Sequence, residues 1–140
     1  MVEIIAPSWY VIDDDPQKLF EYVLRKLAPL GLAYIHVIEG ATGGPREVEG
    51  RPFDYASLKQ AYRAAGGKAA WMVNNGYDKA LAQQAIDNGH DLVAFGRPYI
   101  ANPDLVERFK ADAPLNAPDK STFYGGGAKG YTDYPALQQS

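Results

Sequence analysis

Residues Asp91–Phe109 read DLVAFGRPYIANPDLVERF. The first five, DLVAF, are short and nearly all apolar, as a strand buried on both faces of a parallel sheet is. Gly96-Arg97-Pro98 ends that strand in a turn. A short turn then leads to Asn102-Pro103, which opens a helix through Leu105, Val106 and Phe109. Moving towards the N-terminus, the same order recurs. Ala69–Val73 (AAWMV) is a strand, Asn74-Asn75-Gly76-Tyr77 a turn, and Asp78 caps a helix running to about Asn88, stopped by Gly89. Before it, Leu32–Ile38 (LAYIHVI) is a strand. The glycine- and proline-rich loop Gly40–Pro52 follows, and then a helix from about Tyr55 to Ala65, ended by Gly66-Gly67.

Asp13-Asp14-Asp15-Pro16 starts the first helix, with an acidic cap and proline at its first position. Leu19, Phe20, Val23, Leu24 and Leu27 repeat at three and four, which buries one face. Gly31 closes that helix near Leu30. A strand at Val2–Ala6 precedes it. Strands alternating with helices in this way predict a parallel sheet with right-handed crossovers. From Ala113 to Ser140 the chain reads as an extended tail lying on a surface, and nothing marks a linker between domains.

The 140 residues suit one domain that buries about 68% of its unfolded surface. Composition is that of a globular chain: 46% hydrophobic and 22% charged. Fourteen basic residues stand against 17 acidic ones, a net charge of −3, which gives nucleic acid or an anionic membrane no electrostatic hold. The absence of cysteine excludes disulfides, thiolate metal sites and a cysteine nucleophile, and is compatible with a cytoplasmic protein. No signal sequence and no membrane-spanning run is legible.

In parallel α/β proteins ligands bind beyond the carboxyl ends of the strands. Two successive strands end there in glycine turns, Asn75-Gly76 and Gly96-Arg97. Glycine admits a close approach, each turn leads towards a helix N-terminus, and Arg97 supplies a guanidinium able to grip phosphate through two bonds. A pair of such turns points to a phosphate, although single strand–glycine turns mostly serve connection. His36, mid-strand, reads as an ordinary core histidine, and His90 has no evident partner. Their spacing forms no metal site. Asp13–Asp15 are explained by the helix cap. Glu39 closes a strand and could face a site, but a charge there needs no function. No P-loop and no G-x-S-x-G elbow is present.

Four runs together carry a family likeness: GLAYIHVIE (Gly31–Glu39), NNGYDKALAQQAI (Asn74–Ile86), DLVAFGRPYIANPDLVERF (Asp91–Phe109) and STFYGGGAKGYTDYPAL (Ser121–Leu137). They resemble the C-terminal half of the Old Yellow Enzyme family of FMN-dependent ene-reductases, and the likeness covers about Asp13–Leu137. The resemblance implies a (β/α)8 barrel of which this chain supplies about four βα units. It implies that Asn75, Gly76, Gly96 and Arg97 hold the FMN phosphate, that Phe123 lies along the flavin, and that Tyr124 borders the substrate pocket. NAD(P)H is the reductant and an activated alkene the acceptor. The family's substrate-anchoring histidine/asparagine pair and its proton-donating tyrosine belong to its first half, so no catalytic residue is assigned here. Residues 1–12 form a divergent start: Ile4-Ile5-Ala6-Pro7-Ser8-Trp9 lacks the arginine that the family places beneath the flavin ring.

A complete barrel takes about 250 residues. A half barrel leaves edge strands and interior side chains open, among which Ile35, Trp71, Met72, Val93 and Phe95 are expected. Such a chain pairs with a complementary N-terminal half, self-associates, or rearranges into an open sheet. The expected function is the FMN-phosphate portion of an ene-reductase, inactive alone. The alternatives are a non-catalytic phosphate- or nucleotide-binding α/β fragment and a truncated gene product.

Overall fold

The computed structural model describes residues 3–5, 13–40, 44–46, 53–124 and 126–137. The remainder of the Gly40–Pro52 loop, and of the divergent start over 1–12, lies outside these residues. The chain divides into two compact units, Met1–Ala94 and Phe95–Ser140.

The first unit is a parallel sheet with its crossover helices. Strands β1 (Glu3–Ile5), β2 (Tyr34–Ile38), β3 (Ala70–Asn74) and β4 (Leu92–Ala94) lie in sequence order. All three pairings are parallel, with Ile35 opposite Trp71, Val37 opposite Val73, and Asn74 opposite Ala94. Between the strands run α1 (Pro16–Leu27), α2 (Tyr55–Ala64) and α3 (Lys79–Asp87). Each begins on an aspartate whose carboxylate accepts a backbone N–H of the first turn: Asp15 from Lys18, Asp54 from Ser57 and Asp78 from Leu81. The first helix ends at Leu27, the last residue of its apolar spacing and three short of the stop expected near Leu30. Residues Ala28–Leu30 tighten into a 3-10 turn around Pro29, and Gly31 turns the chain left-handed at φ 64°.

Burial alternates along the central strands and corrects one expectation. Ile35, Val37, Trp71 and Val73 share one face and are buried, Trp71 completely. Tyr62 of α2 packs on Trp71 with ring centroids 6.1 Å apart, so this face lies beneath helix. Ile35 and Trp71 are therefore not interior side chains left open, and Val93, opposite Val73, sits on their face. Tyr34, His36 and Met72 occupy the other face and are only half-buried, with Leu92 opposite Met72 and 40% exposed. Continuously apolar strands hide this distinction, because neither face is marked by polar residues.

Asp91 ties the lower rim. Its carboxylate accepts the Trp71 N–H at 2.7 Å and pairs with Arg63 at 3.2 Å. Arg63 also donates to the carbonyls of Gly67 and Ala69, which ties the turn between α2 and β3 to Asp91. Gly67 lies against the buried Tyr62 ring, with no room there for a side chain.

The second unit holds α4 (Arg97–Ala101), α5 (Leu105–Ala111) and the segment beyond. The five-residue α4 stands where a turn is expected. No side chain caps it, and Pro98 lies in its first turn, so its start carries little sequence signal. Phe95 packs edge-on against Phe109 at 5.3 Å. The described residues of the tail are irregular apart from a 3-10 turn at Lys120–Thr122.

Candidate functional site

β2, β3 and β4 run parallel in register, so their carboxyl ends share one edge of the sheet. The turn leaving β3 carries two successive left-handed residues, Asn75 at φ 101° and Gly76 at φ 67°. Asparagine enters this region more readily than other non-glycine residues but less freely than glycine, so its own side-chain bonds help to hold the turn. The restraint is visible. The Asn75 side-chain amide donates to the Glu39 carbonyl at 2.6 Å and to the Gly44 carbonyl at 3.4 Å. Asn75 thus uses its side chain to brace the turn.

Glu39, the residue after β2, is the hub of this edge and is only 7% exposed. Its Oε2 accepts the Tyr77 hydroxyl at 2.7 Å, and Arg46 reaches the same oxygen with Nε at 3.2 Å and Nη2 at 3.0 Å. The Arg46 guanidinium also lies over the Tyr77 ring, 4.3 Å from its centroid. Burial, and then its bond to the Glu39 carboxylate, push the Tyr77 hydroxyl well above the ordinary tyrosine range. Nearby, the Tyr55 hydroxyl accepts the Gly40 N–H at 2.6 Å, and burial raises its pKa as well. Gly40 itself, at φ 69°, packs directly against the Pro45 and Arg46 carbonyls. The Glu39–Arg46–Tyr77 group was not singled out from sequence. It joins three separate segments, and its only local signs are a charge at a strand end and an arginine in a glycine-rich loop.

Gly76 has ordinary van der Waals room beside the Arg46 stem, at 3.5 Å. Asp78, two residues on, already caps α3 with its own carboxylate. An anion at this turn would therefore meet the left-handed Asn75–Gly76 backbone, and not a bare helix end.

The second turn belongs to the second unit. Among the described residues nothing beyond its chain neighbours lies within 4 Å of the place a Gly96 side chain would occupy, so a ligand can approach this backbone closely. Arg97 follows it and is exposed. The short α4 is too brief to add a strong dipole, which leaves the guanidinium as the principal attraction for an anion. These features fit a phosphate-bearing group. Phe123 is half-buried and meets Tyr124 edge-on at 6.4 Å, while Tyr124 itself is 94% exposed.

His36 Nε2 and His90 Nδ1 are buried with no hydrogen-bond partner among the described residues. Burial lowers the His90 pKa, and the Lys59 charge lowers it further. Among the described residues no group of three His, Cys, Asp or Glu could hold a metal ion, and no helix is long and apolar enough to cross a membrane.

Three comparisons bear on this arrangement. The sequence profile of the NADH:flavin oxidoreductase / NADH oxidase family matches residues 17–116. A 12-oxophytodienoate reductase-like protein of Solanum lycopersicum is 38% identical over 128 residues, which make up 90% of this chain and 33% of that protein. The 12-oxophytodienoate reductase 2 of Arabidopsis thaliana is 35% identical, over 91% of this chain and 33% of its own length. Among solved structures, morphinone reductase matches at TM-score 0.73 and 43% identity, over 90% of this chain and 32% of its own. The old yellow enzyme from Trypanosoma cruzi matches at TM-score 0.80 and 34% identity, over 97% and 34%. The chain spans about a third of the length of the relatives it matches.

Proposed function

Because the chain belongs to the NADH:flavin oxidoreductase / NADH oxidase family, whose members are FMN flavoproteins using NAD(P)H, we propose that it forms the FMN-phosphate end of an ene-reductase site. Its fold is accordingly part of a (β/α)8 barrel, four parallel strands with their helices. In this reading both units form one partial barrel domain with the tail over 113–140, and the protein is cytoplasmic.

The observation that carries the proposal is the braced left-handed pair Asn75–Gly76 at the carboxyl end of β3, in a chain whose next strand leads to an open Gly96 and an exposed Arg97. The backbone at Asn75, Gly76 and Gly96 would receive the FMN phosphate, with Arg97 as its counter-charge. Phe123 would lie along the flavin, and Tyr124 would border the pocket for an activated alkene. When bound, FMN supplies the two-electron chemistry that takes a hydride from NAD(P)H and delivers it to that alkene. The chain's own residues bind and orient. The Glu39–Arg46–Tyr77 group fixes the turn, and no residue of the described chain is assigned a proton-transfer role.

Catalysis needs the reacting groups held together in one geometry. This portion is accordingly inactive alone and works with a complementary N-terminal half or by self-association. NADH-driven reduction of an enone by the 140-residue chain by itself would contradict that. The phosphate role is tested by titrating FMN against the parent and Arg97→Ala. A charge-assisted pair is worth about 1.5–3 kcal/mol, so the variant is expected to bind FMN at least about tenfold more weakly. Unchanged affinity would remove Arg97 from the site.

A further inference from the structure

One buried cation holds both ends of the tail loop. Arg108 on α5 is 5% exposed, although arginine is almost never fully buried unless paired. Its Nε donates to Asp104 Oδ1 at 2.7 Å, Nη1 to the Pro114 carbonyl at 2.5 Å, and Nη2 to the Pro135 carbonyl at 2.8 Å. The other oxygen of Asp104 accepts the Leu137 N–H at 2.6 Å. Asn116 bridges the same two strands of chain. Its side-chain amide donates to the carbonyls of Pro135 and Ala101, each at 2.8 Å, and its N–H donates to Asn102 Oδ1 at 2.7 Å. Residues 114–116 and 135–137 therefore meet at Arg108 and close the stem of a loop over 117–134.

The loop is braced within as well. The Asp119 N–H donates to the Tyr134 hydroxyl at 2.7 Å, and Thr122 Oγ1 donates to the Gly130 carbonyl at 3.0 Å. Gly130 is left-handed at φ 69° and packs directly on Thr122, where a side chain has no room. The product of all this bracing is an aromatic pair, Phe123 half-buried and Tyr124 standing in water. A loop ordered at such entropic cost around an exposed ring is shaped to present that ring to something.

We propose that Arg108 is the positioning residue of this loop: with Asp104 it closes the stem and so sets where Phe123 and Tyr124 offer their rings to a planar aromatic ligand. That the ligand is a flavin rests on the function proposed above; the clamp does not. Lysine cannot take this place, because a single ammonium cannot serve three acceptors spread over a planar fork.

The test uses the full chain with Arg108→Gln, Arg108→Lys, Phe123→Ala and the double variant Arg108→Gln/Phe123→Ala. Amide hydrogen exchange is read by residue, with FMN binding as a second readout. In both Arg108 variants the Asn116, Gly130 and Leu137 amides are expected to lose at least about tenfold in protection, while those of Val37 and Val73 keep theirs, which also reports that the sheet is folded. If Arg108→Gln fails to fold, Asp104→Asn serves, since it discharges the carboxylate that joins Arg108 to Leu137. Parent-like protection of the loop in a folded variant overturns the clamp. With FMN, Phe123→Ala is expected to weaken binding, Arg108→Gln to weaken it similarly, and the double variant to add little. Weakening by Phe123→Ala alone, with Arg108→Gln silent, overturns positioning and leaves the flavin reading standing. No effect of Phe123→Ala overturns the flavin role of the loop, and the exchange data still decide the clamp.

Discussion

Tyr77 shows how much one hydroxyl organises at the edge of this sheet. It donates to a buried carboxylate that also holds Arg46, and its ring carries the Arg46 guanidinium. Burial disfavours its phenolate, and deprotonation would also set that charge against Glu39, so its folded pKa lies above the unfolded value near 10.0. A group raised in this way contributes stability that is complete below its unfolded pKa and is lost as pH rises through the folded one. Tyr77→Phe is therefore expected to cost about 1.5–3 kcal/mol near neutral pH. It should also flatten the alkaline limb of stability above about pH 10, relative to the parent. Urea unfolding across pH 7 to 11 checks both; superimposable alkaline limbs would mean that Tyr77 is not so held.

At the scale of elements, local signals were legible and long-range ones were not. Helix starts at Asp15-Pro16 and Asp78 are written in adjacent residues, because capping acts over three positions, and the structure adds Asp54 as the cap of the helix expected from about Tyr55. The start of α4 is not so written, since Gly96 offers no capping side chain. The glycine turn after β3 is readable as a turn, whereas after β4 only Gly96 stays outside helix, because α4 begins at Arg97. The Glu39–Arg46–Tyr77 and Arg108 groups, by contrast, collect residues from segments that only folding brings together. The facing of β3 was misread for a related reason: every residue of AWMV is apolar, so nothing in the strand says which side meets helix. The structure puts Trp71 beneath α2 and Met72 on the opposite, half-buried face. Trp71→Ala should then cost about 3–5 kcal/mol, as large-to-small changes in full cores do, and Met72→Ala clearly less. Equal shifts of the two denaturation midpoints would contradict this assignment of faces.

At the scale of the whole molecule, the four recognisable runs implied a flavoprotein family and a barrel, and the comparisons bear out both. Such runs are legible because strand, glycine turn and helix start are contiguous in sequence. In the proposed function the labour divides along the chain: turns at the strand ends would take the phosphate, and a clamped loop would present aromatic rings.

If the phosphate is what this chain recognises, as proposed, equilibrium titration of the purified chain with FMN and with riboflavin, followed by flavin fluorescence, will separate the two, because they share a ring system and differ in that group. FMN is expected to bind at least about tenfold more tightly, a difference of about 1.4 kcal/mol. Equal affinity for the two, or no binding of FMN, would contradict it.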